Sequence, residues 1–371
     1  MTRREWLAAL GAAAGAPAAA APTAPVAVER CPSYDEDLTA ILGRMFDRIG
    51  GLERVVKGKT VTLKLNLTGS PALRLRGRAP GFTHYTHPKT AAAMAHLIGR
   101  AGARRIRFAE GCFATSAPME EFLLDSGWNL RSLQTIAPKV EFVNTNVLAG
   151  AKAYARVRPS RGLIFPAYDL HPAYVETDVL VSMARLKEHA ACGVTLAMKN
   201  MFGATPISIY GDDSGLQEPN ESPATGRVSV CHDGKRQPSA SAPAEIDPRS
   251  PRDPGHRMPR ITAELCSARP IGISFIDGIE TVAGGEGPWI QPLREVRPGL
   301  LVLGLNPVCT DTVGTALMGF DPRAGRGQAP FRNGDNTLLL AESLGLGTAD
   351  LRRIEVAGPP LDSLISRAFQ G

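Results

Sequence analysis

Residues 59–70 read KTVTLKLNLTGS, and this stretch decides the fold class once it is joined to the segments on its C-terminal side. Val61, Leu63, Leu65 and Leu67 alternate with Thr60, Thr62, Lys64 and Asn66, the period-two pattern of a strand, and the run ends in a polar loop. HPKTAAAMAHLIGRAG (87–102) has the composition of a helix with a glycine stop, and RIRFAEG (105–111) is a second strand. Strand, loop, helix and strand at this spacing make a βαβ unit, which requires a parallel sheet.

The pattern extends in both directions. Upstream, VAVERC (26–31) reads as a short edge strand. Leu38, Ile41, Leu42, Met45 and Ile49 recur at helical spacing before Gly50 and Gly51. Downstream come a helix near 117–126, the strand EFVNTN (141–146) and the strand VETDVLVSM (175–183). After them come the helix ITAELCSA (261–268), the strands RPIGISFIDGI (269–279) and GLLVLGLN (299–306), the helix PVCTDTVGTALMGF (307–320), and a last helix at 335–345. Residues 208–258 are rich in Pro, Ser, Gly, Asp and Arg with little periodicity, and read as a long irregular insertion or lid. The expectation is one α/β domain over 23–371, a mostly parallel sheet flanked by helices, with two intimate lobes as the alternative.

Residues 1–22 stand apart. Thr2, Arg3, Arg4, Trp6 and Leu7 resemble a twin-arginine signal, with an apolar stretch and several Ala-x-Ala sites near 16–21 after it. This predicts a signal peptide, contact with the twin-arginine export machinery, and a periplasmic or otherwise exported mature chain. No later segment carries ~18 continuous apolar residues, so no stable membrane span is expected after its removal.

Net charge is +6, without a basic run of five residues or a basic stripe interleaved with aromatics. That balance suits a small anionic ligand and excludes the footprint of a nucleic-acid binder. The nearest pair among the six cysteines, Cys231 and Cys266, is thirty-five residues apart, so the chain has no iron–sulfur motif and no CxxC.

Polar residues gather at strand ends, where ligands collect in open α/β sheets. Lys64 and Asn66 close the first strand, Glu110 closes the next, and Asp277 closes ISFID. Asn306 and Asp311 bracket the start of the helix after GLLVLGLN. VLVSM leads into LKEHAACGVTLAMKN (186–200), with Lys187, His189, Lys199 and Asn200. A helix from Gly193 to Phe202, closed by Gly203 in the left-handed conformation and by Pro206, would put Thr195 and Lys199 on one face. Its N-terminus would add positive potential to Lys187 and His189, a combination that binds phosphate, carboxylate or an oxyanion. A buried lysine can serve as base or amine nucleophile, and a histidine can exchange protons near neutral pH. The plain alternative has both lysines reaching from the surface to water and His189 capping a loop.

His87, in THYTHPKT (83–90), either starts the helix at Pro88 or joins Lys64 in the site. With His84, Glu110, Asp277 and Asp311 a divalent metal site can be drawn, although no HExxH or paired short His/Cys motif supports it. GGEGPW (284–289) is either a phosphate cradle or a Gly-Pro turn. No P-loop, dinucleotide fingerprint or GxSxG is present.

LKEHAACGVTLAMKNMFG resembles the signature of the domain of unknown function 362 family, a Leu-Lys-Thr-His segment with Gly-x-Thr-Leu and Lys-Asn-x-x-Gly after it. LKLN, THP (86–88), ETDVLVSM, IDGI (276–279), Gly287-Pro288 and NPVCTD occur in that family's order, so the resemblance spans about 55–320. Leu65 stands where the family has proline, Asn306 where it has aspartate, and Glu188 where it has a small polar residue. The resemblance implies an α/β fold and a polar site of Lys64, Asn66, His87, Lys187, His189, Lys199, Asn200, Asp277 and Asp311. It supplies no activity. Some relatives carry iron–sulfur modules, which this chain lacks the cysteines to bind.

The leading expectation is an enzyme acting on a small anionic substrate or a bound cofactor. Lys187 and Lys199 would hold the anion, His189 would transfer protons, and Asp277 and Asp311 would orient them or hold a divalent metal. Lys64, Asn66, His87, Thr195 and Asn200 would complete the site. The alternatives are a non-catalytic ligand- or cofactor-binding protein and a scaffold whose lysines pair internally with Asp277 and Asp311.

Overall fold

The alternation in 59–70 understates how deep its strand lies: every residue of Thr60–Lys64 is buried, because helices cover both faces of the sheet. The computed structural model describes residues 21–370. Eight strands form the main sheet: β1 (Val26–Arg30), β2 (Thr60–Lys64), β3 (Arg105–Glu110), β4 (Val140–Asn144), β5 (Val179–Arg185), β6 (Ile273–Gly278), β7 (Leu300–Gly304) and β8 (Val356–Ala357). Their spatial order is β8-β1-β7-β6-β5-β2-β3-β4. Only β7 runs against the others. The fold is α/β, as the βαβ reading requires. VAVERC lies one strand in from the edge, because the two-residue β8 pairs with it outside.

Two apolar cores sit on the two faces. Val61, Leu63, Val181 and Met183 point into one, where α1 (Leu38–Arg48) and α2 (Pro88–Arg100) pack. Leu180 and Ala184 point into the other, which is filled from α3 (Ala197–Asn200), α4 (Pro254–Ala268), α5 (Pro307–Leu317) and α6 (Thr337–Ser343). Asp37 starts α1 by accepting from the amide of Ala40 at 2.9 Å. The chain leaves β2 for β3 and β4 on one side, then returns to place β5 on the other. The gap between the carboxyl ends of β2 and β5 is therefore the topological switch point, where α/β sheets bind ligands.

Three expectations need correction. Residues 193–202 are not one helix: Lys187–His189 and Gly193–Thr195 pair as an antiparallel hairpin, and helix begins only at Ala197. Gly193 takes φ +75°, which suits the turn, and the Asp311 carboxylate seizes the amides of Ala197 and Met198, which fixes the helix start there. Gly203 is not left-handed, and a 3-10 turn over Met201–Ala204 continues past it.

The irregular insertion also ends earlier than 258, because α4 starts at Pro254 under an Asp253 cap. Two prolines hide this in the sequence. Pro254 sits in the first turn, where a missing N–H costs nothing. Pro259 leaves the Gly255 carbonyl free, and the amide of Asp335 bonds it at 2.9 Å. The rest of the insertion packs back onto the domain: Val230, Cys231 and Ala242 are buried, and Glu245 pairs with Arg257 at 2.8 Å.

Candidate functional site

At the switch point, β2 ends on Lys64 and β3 on Glu110. Lys64 Nζ lies 2.6 Å from Glu110 Oε1, with side-chain exposures of 1% and 4%. It also donates to the backbone oxygen of Leu65 at 2.8 Å and to Asn200 Oδ1 at 3.3 Å, so all three ammonium protons are engaged. Glu110 accepts further from the amides of Gly111 and Leu67. Burial pulls the lysine down and the carboxyl up, and each partner opposes the shift of the other. The Met201–Ala204 turn crosses this pair at Gly203, where a Cβ would stand 3.0 Å from both Glu110 Oε1 and Lys64 Nζ.

A chain of hydrogen bonds orients the amides here. Ser182 Oγ donates to the backbone oxygen of Ala197, so it accepts from Asn200 Nδ2 at 3.0 Å. Asn200 Oδ1 therefore faces Lys64, and receives Asn66 Nδ2 at 3.0 Å. Asn66 Oδ1 is left over: a buried acceptor with no partner among the described residues.

Above this floor opens a cavity of about 490 Å³. Its walls come from the loops after β2 (Leu73) and β3 (Phe113), the hairpin (Lys187, His189, Thr195), the α3 turn (Lys199, Phe202), the insertion (Arg227, His232), α4 (Met258) and the 284–289 loop (Glu286, Trp289). Lys187 is fully buried and donates to the backbone oxygens of His84 and Glu286, each at 2.9 Å, which leaves one proton uncommitted. Burial and the nearby Arg185 guanidinium hold its pKa well below the usual lysine range. Lys199 Nζ stands 4.1 Å from the centroid of the Phe202 ring and has no hydrogen bond or ion pair among the described residues. Burial lowers its pKa too. Arg227 bonds only neutral groups, through Nε to the Thr205 oxygen at 2.6 Å and Nη2 to Asn146 Oδ1 at 3.3 Å. Against these three cations stands one carboxylate outside the Lys64 pair, Glu286, which accepts from the Ala190 amide at 3.0 Å and from Trp289 Nε1 at 3.2 Å.

The two histidines of the cavity differ. His189 Nδ1 accepts from the amides of Ala191 (3.1 Å) and Cys192 (3.3 Å), so the hydrogen bonds assign its proton to Nε2. Burial and Lys199 push its pKa down to about 3, so it is neutral at pH 7. Its lone pair is engaged, so it can donate to a ligand but has no free site for a proton. The loop-capping alternative describes its Nδ1. In His232 neither ring nitrogen has a hydrogen bond among the described residues. Burial and Lys199 lower its pKa to about 4, which leaves a neutral ring with a free lone pair.

The structure thus brings Lys64, Asn66, Lys187, His189, Thr195, Lys199 and Asn200 to one cavity. It places His87, Asp277 and Asp311 elsewhere. His87 caps α2 through Nδ1 at 3.2 Å from the Lys89 amide and stacks on Tyr34 with centroids 3.6 Å apart. Asp277 pairs with Arg185 Nη1 at 2.7 Å and accepts from Tyr34 and Thr90. Asp311 holds the α3 amides at 2.8 Å, and burial raises its pKa to about 7. The internal pairing expected of a scaffold takes other partners: Glu110 takes Lys64 and Arg185 takes Asp277. Among the described residues no three His, Cys, Asp or Glu side chains gather as a metal site, so the His84, His87, Glu110, Asp277 and Asp311 set does not assemble.

Sequence reasoning missed Arg227, His232, Glu286 and Trp289. GGEGPW stands out in the chain for its glycines, not for its carboxylate, and nothing periodic marks Arg227 or His232. Of the expected twin-arginine signal, 1–22, residues 1–20 lie outside the described residues. Among those described, no helix is long and apolar enough to cross a membrane.

Comparison with known proteins places the chain. It is 29% identical over 300 residues to the thylakoid-associated protein sll1697 of Synechocystis sp., a match that covers 80% of this chain and 75% of that one. A crystal structure of a Thermotoga maritima protein is matched over 71% of this chain and 54% of its own, with 14% identity and a TM-score of 0.35, so the chain spans about half of it. The family model described as Domain of unknown function (DUF362) matches residues 61–316, which take in six of the eight strands of the main sheet, β2 to β7, and every wall of the cavity, and the chain belongs to that family.

Proposed function

We propose that the cavity at the β2/β5 switch point binds a small anion, and that the chain is an exported enzyme acting on an anionic substrate there. One observation carries the reading: Lys187, Lys199 and Arg227 face the cavity with no carboxylate of their own, against Glu286 alone. Unbalanced cations in a low-dielectric site attract an anion strongly. Lys187 and Lys199 supply charge and donors. His189 supplies an Nε2–H. His232, with its free lone pair, is the group able to take a proton.

The spent lone pair of His189 favours a second reading, a non-catalytic carrier of the same ligand. Calorimetric titration with phosphate and with small carboxylates tests the shared part. Lys199→Ala should weaken binding about tenfold or more, and an unchanged affinity would remove the anion reading. Turnover that is lost in a folded His232→Gln variant with retained binding separates enzyme from carrier. Export is tested by fractionation: Arg3→Lys with Arg4→Lys should keep the chain in the cytoplasm.

A further inference from the structure

The cavity is polar at its floor and apolar at its mouth. Lys64, Asn66 and Lys187 at the bottom are buried. Leu73, Phe113, Val228 and Trp289 around the opening are 41–49% exposed. Eight large apolar side chains are exposed among the described residues, and these four belong to this one rim. Scattered exposed apolar residues need no explanation, whereas a cluster around a cavity marks a binding surface.

Trp289 is also held in place. Its Nε1 donates to Glu286 Oε1 at 3.2 Å, and its ring lies so close to Gly69 and Gly287 that a Cβ at either position would collide with it. Glu286 in turn is tied by its backbone oxygen to Lys187. The aromatic plate at the mouth and the cation at the floor are thus parts of one connected frame. Asn66 Oδ1, buried at the floor, has no hydrogen-bond partner among the described residues and takes its donor from water or from a group on the ligand other than the anion.

We propose, resting on the anion reading above, that the ligand is an amphipathic anion: a carboxylate or phosphate group directed to Lys187, Lys199 and Arg227, carried on an aromatic body that lies against Trp289 and Phe113. The volume, about 490 Å³, lies within the roughly 300–1,000 Å³ of pockets that enclose molecules of this size, and well beyond the needs of a bare inorganic anion. Aromatic contact supplies affinity that charge does not, and it discriminates among anions of equal charge.

The test is calorimetric titration of the full chain at pH 7.5 with two matched pairs, phenyl phosphate against inorganic phosphate and benzoate against acetate. The expected result is that the aryl member of at least one pair binds about tenfold tighter or more than its bare partner. The pair that shows the difference identifies the acidic group. Phe113→Ala should shrink that difference while leaving the bare anion's affinity in place; Trp289→Ala should shrink it too, although it also frees the Glu286 carboxylate, so Phe113→Ala carries the test. Lys199→Ala should weaken both members. Equal affinity within both pairs overturns the amphipathic class and leaves the anion reading standing. Absence of binding by all four, or affinities indifferent to Lys199→Ala, overturns the anion reading and this inference with it.

Discussion

Lys187 and Glu286 meet through the main chain: Lys187 Nζ donates to the Glu286 backbone oxygen at 2.9 Å, while the Glu286 side chain turns away to the Ala190 amide and the Trp289 indole. The same ammonium holds the His84 oxygen at 2.9 Å. Lys187 is therefore a strut between the 284–289 loop and the residues before α2, as well as a charge in the cavity. Lys187→Met should cost about 1–3 kcal/mol, the penalty for buried acceptors left without a donor. Amide exchange should accelerate at 284–289 more than in β5. Exchange at 284–289 that matches the parent chain would leave Lys187 with no part in holding the loop.

The Lys64–Glu110 pair is buried on both sides. Lys64→Met strands a carboxylate in the core and should cost about 3–5 kcal/mol in urea unfolding. Combining it with Glu110→Gln should recover part of that loss, because no unpaired charge then remains. A double variant as unstable as the sum of the singles would show that the pair is not coupled.

His232 gives a pH signature with a definite sign. Its folded pKa is pushed from 6.5 down to about 4, so the unfolded chain binds the proton first. Its contribution is complete above pH 6.5 and is lost as pH falls toward 4, at no more than about 1.4 kcal/mol per pH unit. Buried carboxyls with raised pKa, Asp311 among them, slope the other way, so the comparison must be between variants. His232→Gln should unfold with a shallower acid slope than the parent chain in denaturant titrations from about pH 6.5 to 4. Parallel slopes would place His232 in water.

At pH 7, His189 should be neutral with its proton on Nε2, since Nδ1 accepts two amides. Long-range ¹⁵N–¹H correlation spectra distinguish the tautomers directly. A protonated Nδ1 would break both loop bonds and reopen His189 as a base.

Gly287→Ala puts a methyl group where the Trp289 ring lies. The ring should swing outward, seen as red-shifted emission and stronger acrylamide quenching, while Trp128 stays buried. Unchanged fluorescence would mean that the loop yields instead of the ring.

The strands are legible because a buried parallel sheet demands near-continuous apolar runs, and α1 and α2 because one face of each must be apolar. LKEHAACGVTLAMKN misleads locally: its helical spacing is real, but Asp311, more than a hundred residues on, decides that helix starts at Ala197. Arg227 and His232 carry no sequence signal, and Glu286 and Trp289 lie in GGEGPW, which its glycines mark but its carboxylate and indole do not, since only distant contacts give these four a role.

The sequence by itself determined the α/β class, most of the strands and the residue types at the strand ends, because hydrophobic periodicity is a local property, whereas the strand order, and with it the switch point, is tertiary. Which charges are paired and which are free was decided only by tertiary structure. Lys64 and Lys199 read alike in the chain, and Asp277 reads like Glu110. Folding closes Lys64 onto Glu110 and Arg185 onto Asp277, and leaves Lys199 against an aromatic ring with its charge uncompensated. A charge in low dielectric is governed by what lies within a few ångströms of it, and that distance is set in space, not along the chain.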